Sequence, residues 1–201
     1  MRGCPKKRFR VTTDRNPDHA VAKNLLKQDF AANAPNQIWA SDITYISTRE
    51  GWLYLAVVMD LYSRRIVGWS MSPWLGRRIV LDALRMALAT RRPMGALIHH
   101  SDRGSQYTSD DYRKELARHG ITCSMSSTGN CYDNAVVESF FGVLKRERVN
   151  RVRYRTRDEA RADLFAYIEV FYNRKRRHGY LGNVSPADFE ERSAGSFQTV
   201  H

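Results

Sequence analysis

Three acidic residues stand where acids are either costly or informative. Asp42 lies in the apolar stretch WASDITYI, Asp102 in HHSDRGSQY and Glu138 in DNAVVESFFGVLKRE. A carboxylate within an apolar strand is expensive to bury unless it is paired, hydrogen-bonded or bound to a metal ion. Asp42 therefore reads as a ligand contact or as a strand-end aspartate with satisfied hydrogen bonds, and the residue alone leaves both open. Asp102 follows a short apolar run, a position from which an acid meets a ligand at the end of a sheet strand. It serves equally as a turn former, and Gly104 beside it suits a tight turn. Glu138 falls on a helical pattern whose apolar stripe is Val137, Phe140, Phe141 and Leu144. Asn134, Glu138, Gly142 and Lys145 form the adjoining face, so Glu138 looks inward from the edge of the stripe and Lys145 points the same way. A solvated surface glutamate fits that pattern too.

The elements that must position these acids follow from hydrophobic periodicity. Residues 38–47 are rich in β-branched and aromatic side chains and read as a strand carrying Asp42. Residues 53–60 (LYLAVVMD) form a nearly continuous apolar strand, and 65–71 a third. Their closeness in sequence predicts an antiparallel meander. A helix follows Gly76 and ends before Pro93; strands are expected at 96–99 and 121–125. A helix capped by Thr108 or Ser109 runs between them to about His119. Asp133 or Asn134 caps the helix of Glu138, which runs to about Val149. The last helix opens on the capping box Thr156-x-x-Glu159 and buries Ala160, Leu164, Tyr167, Ile168 and Phe171. Trp39, Tyr45 and Trp52 read as core residues, and His99 and His100 as structural histidines at a sheet terminus. The order of elements is that of an α/β fold with a mixed sheet.

Charge supplies the class of partner. Lys and Arg total 33 against 21 Asp and Glu, a net charge of +12. That excess points to a polyanion, nucleic acid first and an acidic membrane surface second. Three cysteines (Cys4, Cys123, Cys131) make no disulfide framework. A zinc site from Cys123, Cys131 and a histidine matches no common spacing. The basic N-terminus lacks the apolar run of a signal peptide and no stretch has the length of a membrane span, so the reading is cytoplasmic. Residues 1–35 read as a basic arm or linker with a short helix around 20–28, 36–190 as the core with its C-terminal helix and basic segment, and 191–201 as a tail.

Taken together, these stretches resemble the DDE transposases of the retroviral-integrase superfamily. Thirty-five residues separate Asp102 from Glu138, a spacing that marks the group. More closely, the chain resembles the catalytic subunit (OrfB type) of the IS-three insertion-sequence family. The resemblance rests on APNQIWASDITYI, LYLAVVMDLYSRRIVGWSMS, HHSDRGSQYTS, STGNCYDNAVVESFFGVLK and YNRKRRHGYLGNVSPADF, nearly all of 34–189. It implies an RNase H-like fold: a five-stranded mixed sheet, three strands antiparallel and two parallel, with helices on both faces. It further implies that Asp42, Asp102 and Glu138 hold two Mg²⁺ ions, with Mn²⁺ as a substitute, for DNA strand cleavage and strand transfer. Water is the nucleophile in the first reaction and a DNA 3′-hydroxyl in the second.

In that setting Lys145 is expected at a phosphate near the site, and Arg103 at a phosphate or free on the surface. Asn134 orients DNA or caps its helix. The cationic run Arg174, Lys175, Arg176, Arg177 and His178 contacts phosphates or is solvated. Expected partners are DNA ends and target, further copies of the chain, and an upstream helix-turn-helix subunit or fusion, since neither that motif nor a coiled-coil heptad is evident here. The rival readings are a metal-dependent nuclease of the same fold and a non-catalytic DNA-binding regulator.

Overall fold

The computed structural model describes residues 22–127 and 134–197. The arm residues before 22, Cys4, Cys131 and the cap candidate Asp133 lie outside it; Cys123 is a free thiol. Five strands form one sheet: β1 (Ile38–Thr48), β2 (Gly51–Asp60), β3 (Ile66–Ser72), β4 (Ile98–Ser101) and β5 (Thr122–Met125). Their spatial order is β3-β2-β1-β4-β5. The first three make an antiparallel meander, while β4 and β5 run parallel to β1. The helices are α1 (Arg77–Arg91), α2 (Asp110–Arg118), α3 (Ala135–Glu147), α4 (Arg157–Phe165) and α5 (Pro186–Phe197).

Alternation along the strands divides the core in two. One face of the sheet sends Ala40, Ile46, Leu55 and Val57 against Phe140 and Leu144 of α3 and Leu164 of α4. The other sends Trp39, Ala56 and Val58 against Val80, Leu84 and Ala87 of α1 and Tyr112 and Leu116 of α2. Helices thus cover both faces, as the RNase H-like expectation requires. Helix α1 lies very close to β3: a Cβ on Gly68 would meet the Ala83 carbonyl oxygen at 2.2 Å.

Several local expectations are corrected. Strand β4 begins at Ile98 because it pairs in parallel register with Ile38, which draws both histidines into the strand. Residues 22–28 form bends and turns rather than a helix, and Lys27 and Gln28 adopt left-handed backbone (φ 47° and 68°). The α4 capping box is half formed. Thr156 Oγ1 accepts the Glu159 N–H at 3.1 Å, but the Glu159 carboxylate accepts the Arg155 N–H instead. Beyond α4 the chain continues as a π-helix over Ala166–Tyr172, with the Asn173 N–H donating to the Ile168 carbonyl. Residues 191–197 belong to α5, where a tail was expected. The start signal was present: Ser185 Oγ accepts the Asp188 N–H at 3.2 Å, and Pro186 occupies the first helical position. Finally, Trp39 is core, but Tyr45 and Trp52 are 54% and 49% exposed.

Candidate active site

The register of the parallel pair builds the site. Strands β1 and β4 pair from Ile38↔Ile98 to Ser41↔Ser101 and then part. Asp42 and Asp102 each follow the last paired residue, so they emerge side by side at the fork. From Asp42 to Ser47 this edge of β1 pairs with no described strand, and Thr48 then bridges Tyr154. Beneath the fork both histidines hydrogen-bond to neighbouring side chains, although His99 Nδ1 has no partner among the described residues. His99 Nε2 lies 2.8 Å from Ser41 Oγ and 3.0 Å from the Tyr112 hydroxyl. His100 bonds Ser124 and Ser126 at 2.9 and 3.2 Å. Burial and the neighbouring His100 push the His99 imidazole down to about 3, so it is neutral. Both histidines are scaffold.

The two aspartates are poorly compensated. The Ile43 N–H donates to Asp42 Oδ1 at 2.7 Å, and the Gly104 N–H to Asp102 Oδ1 at 2.9 Å. Burial first, then repulsion from Asp102 and Glu138, pushes Asp42 up to about 8; the Ile43 N–H and Lys145 act the other way. Burial raises Asp102 as well. Gly104 opens the turn expected there, its carbonyl accepting the Tyr107 N–H at 3.0 Å, and it has a steric role as well. A Cβ there would meet Asp102 Oδ1 at 2.9 Å and Gln106 Oε1 at 3.0 Å, while its φ is not positive.

Glu138 lies in the first turn of α3 and is exposed. It is near enough to repel Asp42. Among the described residues, however, no three His, Cys, Asp or Glu side chains gather closely enough to hold an ion. The chemistry of the aspartate pair fits a hard divalent cation: adjacent carboxylate oxygens whose charge repels and has little counter-charge.

The expected nucleic-acid contacts separate into groups. Lys145 attracts Asp42 across the free edge of β1 and rests its Nζ 4.9 Å from the Tyr45 ring centroid. Tyr45 in turn meets Trp52 edge-on at 5.0 Å. This exposed aromatic pair was missed by a reading that assigned both to the core. Arg103 Nε donates to the Ser126 carbonyl at 2.6 Å. Asn134 precedes α3 but forms no side-chain cap; its Nδ2 donates to the Ser41 carbonyl at 3.3 Å, tying α3 to the fork. In the basic run, Arg176 pairs with Glu147 at 2.9 Å and His178 packs edge-on against Tyr172. Arg174, Lys175 and Arg177 are exposed.

With this geometry, comparison with known proteins is direct. Residues 32–131 and 138–193 each match a family profile described as "Integrase core domain". The chain is 52% identical over 192 residues to an insertion element IS600 uncharacterized 31 kDa protein of Shigella sonnei, covering 96% of this chain and 71% of that one. It is 49% identical over 193 residues to transposase InsF for insertion sequence IS3A of Escherichia coli (strain K12), covering 96% and 67%. Among solved structures, the catalytic core domain of HTLV-2 integrase in complex with magnesium superposes with a TM-score of 0.60 at 15% identity, covering 80% of this chain and 99% of that one. A simian T-cell lymphotropic virus intasome chain superposes with a TM-score of 0.63 at 16% identity, covering 87% of this chain; the match spans 60% of the intasome chain. The fold is that of an integrase catalytic core. The chain belongs to the integrase-core transposases of insertion sequences, in the IS-three family.

Proposed function

We propose that this chain cuts and joins DNA phosphodiesters, with Asp42, Asp102 and Glu138 as the residues that hold two Mg²⁺ ions. The observation carrying this reading is the pair of half-buried carboxylates side by side at the β1–β4 fork, with Asp102 repelling Asp42. Bound there, the ions supply Lewis acidity at the attacking and leaving oxygens. The Ile43 N–H holds one oxygen of Asp42, leaving the other to a ligand. Gly104 gives the Asp102 carboxylate its room. Glu138 approaches from α3 to complete the set. Lys145 receives a phosphate beside the site, in place of its weak contact with the Tyr45 ring. Arg174, Lys175 and Arg177 supply sequence-independent phosphate contacts.

Recognition of particular DNA ends is assigned to an upstream helix-turn-helix subunit or segment, and bringing two ends together to further copies of the chain. The intasome among the structural neighbours supports assembly of further copies, and the magnesium-bound integrase core supports the choice of ion. No described helix is long and apolar enough to cross a membrane, which is compatible with action on DNA in the bacterial cytoplasm.

The test is strand transfer of pre-cut element ends with Mg²⁺, with the upstream subunit supplied. Asp102→Asn and Glu138→Gln should abolish joining. Joining at the parental rate by either variant overturns the assignment of that residue, and failure of the parent chain overturns the transposase reading.

A further inference from the structure

On the side of α3 roughly opposite Glu138 and Lys145 lies a cavity of ≈ 470 Å³. Its floor is apolar, with Met59, Phe140 and Val143. Its rim carries Arg64, Arg177 and His178, and no acidic residue lines it. Arg176 also borders it but is committed to Glu147.

Two features of the rim are unexplained by folding. One guanidinium nitrogen of Arg64 and Nε2 of His178 are buried without a hydrogen-bond partner. Such groups are costly to leave unpaired and in native proteins await a ligand or water. Arg64 is also held in left-handed backbone (φ 61°), a conformation non-glycine residues avoid. The Tyr172 hydroxyl fixes the Arg64 carbonyl at 3.2 Å, and the Tyr180 ring lies 4.3 Å beneath the guanidinium. The cation is thus oriented at a backbone cost, yet lacks an anion. His178 lies in the same field: burial, Arg176 and Arg64 push its imidazole down to about 4.

We propose that this cavity binds a phosphate group through Arg64, Arg177 and His178, with the attached sugar against the apolar floor. A cationic rim over an apolar base suits a nucleotide unit better than a bare inorganic ion. The source is a DNA phosphodiester if the proposed function holds, which makes this a second anchoring point on the opposite side of the helix that bears Glu138. A free nucleotide has the same chemistry.

The experiment uses the full chain and two variants. Arg64→Asn keeps a residue tolerant of left-handed backbone while removing the guanidinium. Arg177→Gln alters an exposed residue, and matched thermal unfolding checks both folds. DNA affinity is measured against salt, and the His178 imidazole is followed by NMR as inorganic phosphate or a 5′-mononucleotide is added. If DNA is the source, each variant weakens DNA binding roughly 10-fold regardless of sequence and reduces the slope of log affinity against log salt by about one. If a free nucleotide is the source, the mononucleotide shifts His178 saturably and the DNA slope is unchanged. A folded Arg64→Asn variant with neither effect overturns the proposal. A parent chain that shifts with mononucleotide but neither binds nor joins DNA leaves the cavity standing and sinks the transposase reading.

Discussion

Two clusters of carboxylates in this molecule are treated in opposite ways. Asp60 closes β2 and is fully buried. It accepts the Asn36 N–H at 2.8 Å and the Tyr62 N–H at 3.0 Å, and pairs with Arg91 of α1 at 3.1 Å. Arg91 also pairs with Glu190 of α5, which takes further bonds from Ser63 at 2.7 Å and Arg65 at 2.8 Å. Burial raises Asp60, but the Asn36 N–H and Arg91 oppose it; Arg91, Ser63 and Arg65 leave Glu190 below its ordinary value despite burial. At the β1–β4 fork no arginine among the described residues plays that part for Asp42. Asp42 faces Asp102 and Glu138 with only Lys145 in attraction. Where a carboxylate is structural, its counter-charge is built in; at the fork, where we propose that a cation binds, the carboxylates are left with little counter-charge. The same logic with signs reversed underlies the phosphate site proposed at Arg64.

The largest expected difference is in what removal of a charge does. Asp102→Asn should lower strand joining on the order of 10³-fold or more, while melting at the parental temperature or above, because one of two repelling charges is gone. Unfolding scans beside the joining assay check this; a large loss of stability would make Asp102 structural and erase the contrast. Arg91→Met should do the reverse. It strands the Asp60 charge and should cost about 3–5 kcal/mol of stability by urea titration. Adding Asp60→Asn and Glu190→Gln should restore most of it.

Next in size is the response to the ion. Mg²⁺ at a hundred times its dissociation constant should stabilise the parent by about 2.7 kcal/mol. Arg91→Met should gain as much from its lower starting point, and Asp42→Asn almost nothing. Equal gains in all three would mean that Mg²⁺ binds elsewhere.

Much of this contrast was legible in the residues, though unevenly. The apolar runs at 53–60 and 38–47 are long and bounded by turn formers, so the meander was readable. The acids at 42, 102 and 138 stood out by context and spacing. That Asp42 and Asp102 sit side by side was not readable, because it depends on the Ser41↔Ser101 register, a long-range property. The same applies to Tyr45 and Trp52, whose composition suits a core but which the fold leaves exposed. The Arg91–Glu190 pair joins residues 99 apart, so residue type does not mark it. Helix α5 was missed although Ser185-Pro186 announces it, because the polar composition after Asp188 reads as tail.

The smallest effect is the pH dependence, and its sign separates the clusters. The ordinary value for aspartate is 3.8 and Asp42 lies at about 8. Between those values the folded protein holds a proton that the unfolded chain has lost, so the stability from this group falls as pH rises from about 4 to about 8, then levels. Raised Asp102 acts in the same direction. Glu190 is held below its ordinary 4.5. Its contribution is present above that value and is lost as pH falls through the lower folded one. Urea unfolding from about pH 3 to about pH 9 in EDTA should therefore decline on both sides. Asp42→Asn should make the alkaline limb shallower, leaving the part that Asp102 contributes; Glu190→Gln should make the acid limb shallower, leaving the part that the lowered His99 and His178 contribute. Saturating Mg²⁺ should also remove the alkaline decline, since binding displaces the Asp42 proton and grows tighter as pH approaches 8. An alkaline limb of unchanged depth in Asp42→Asn would show that the strain at the fork lies in some other group.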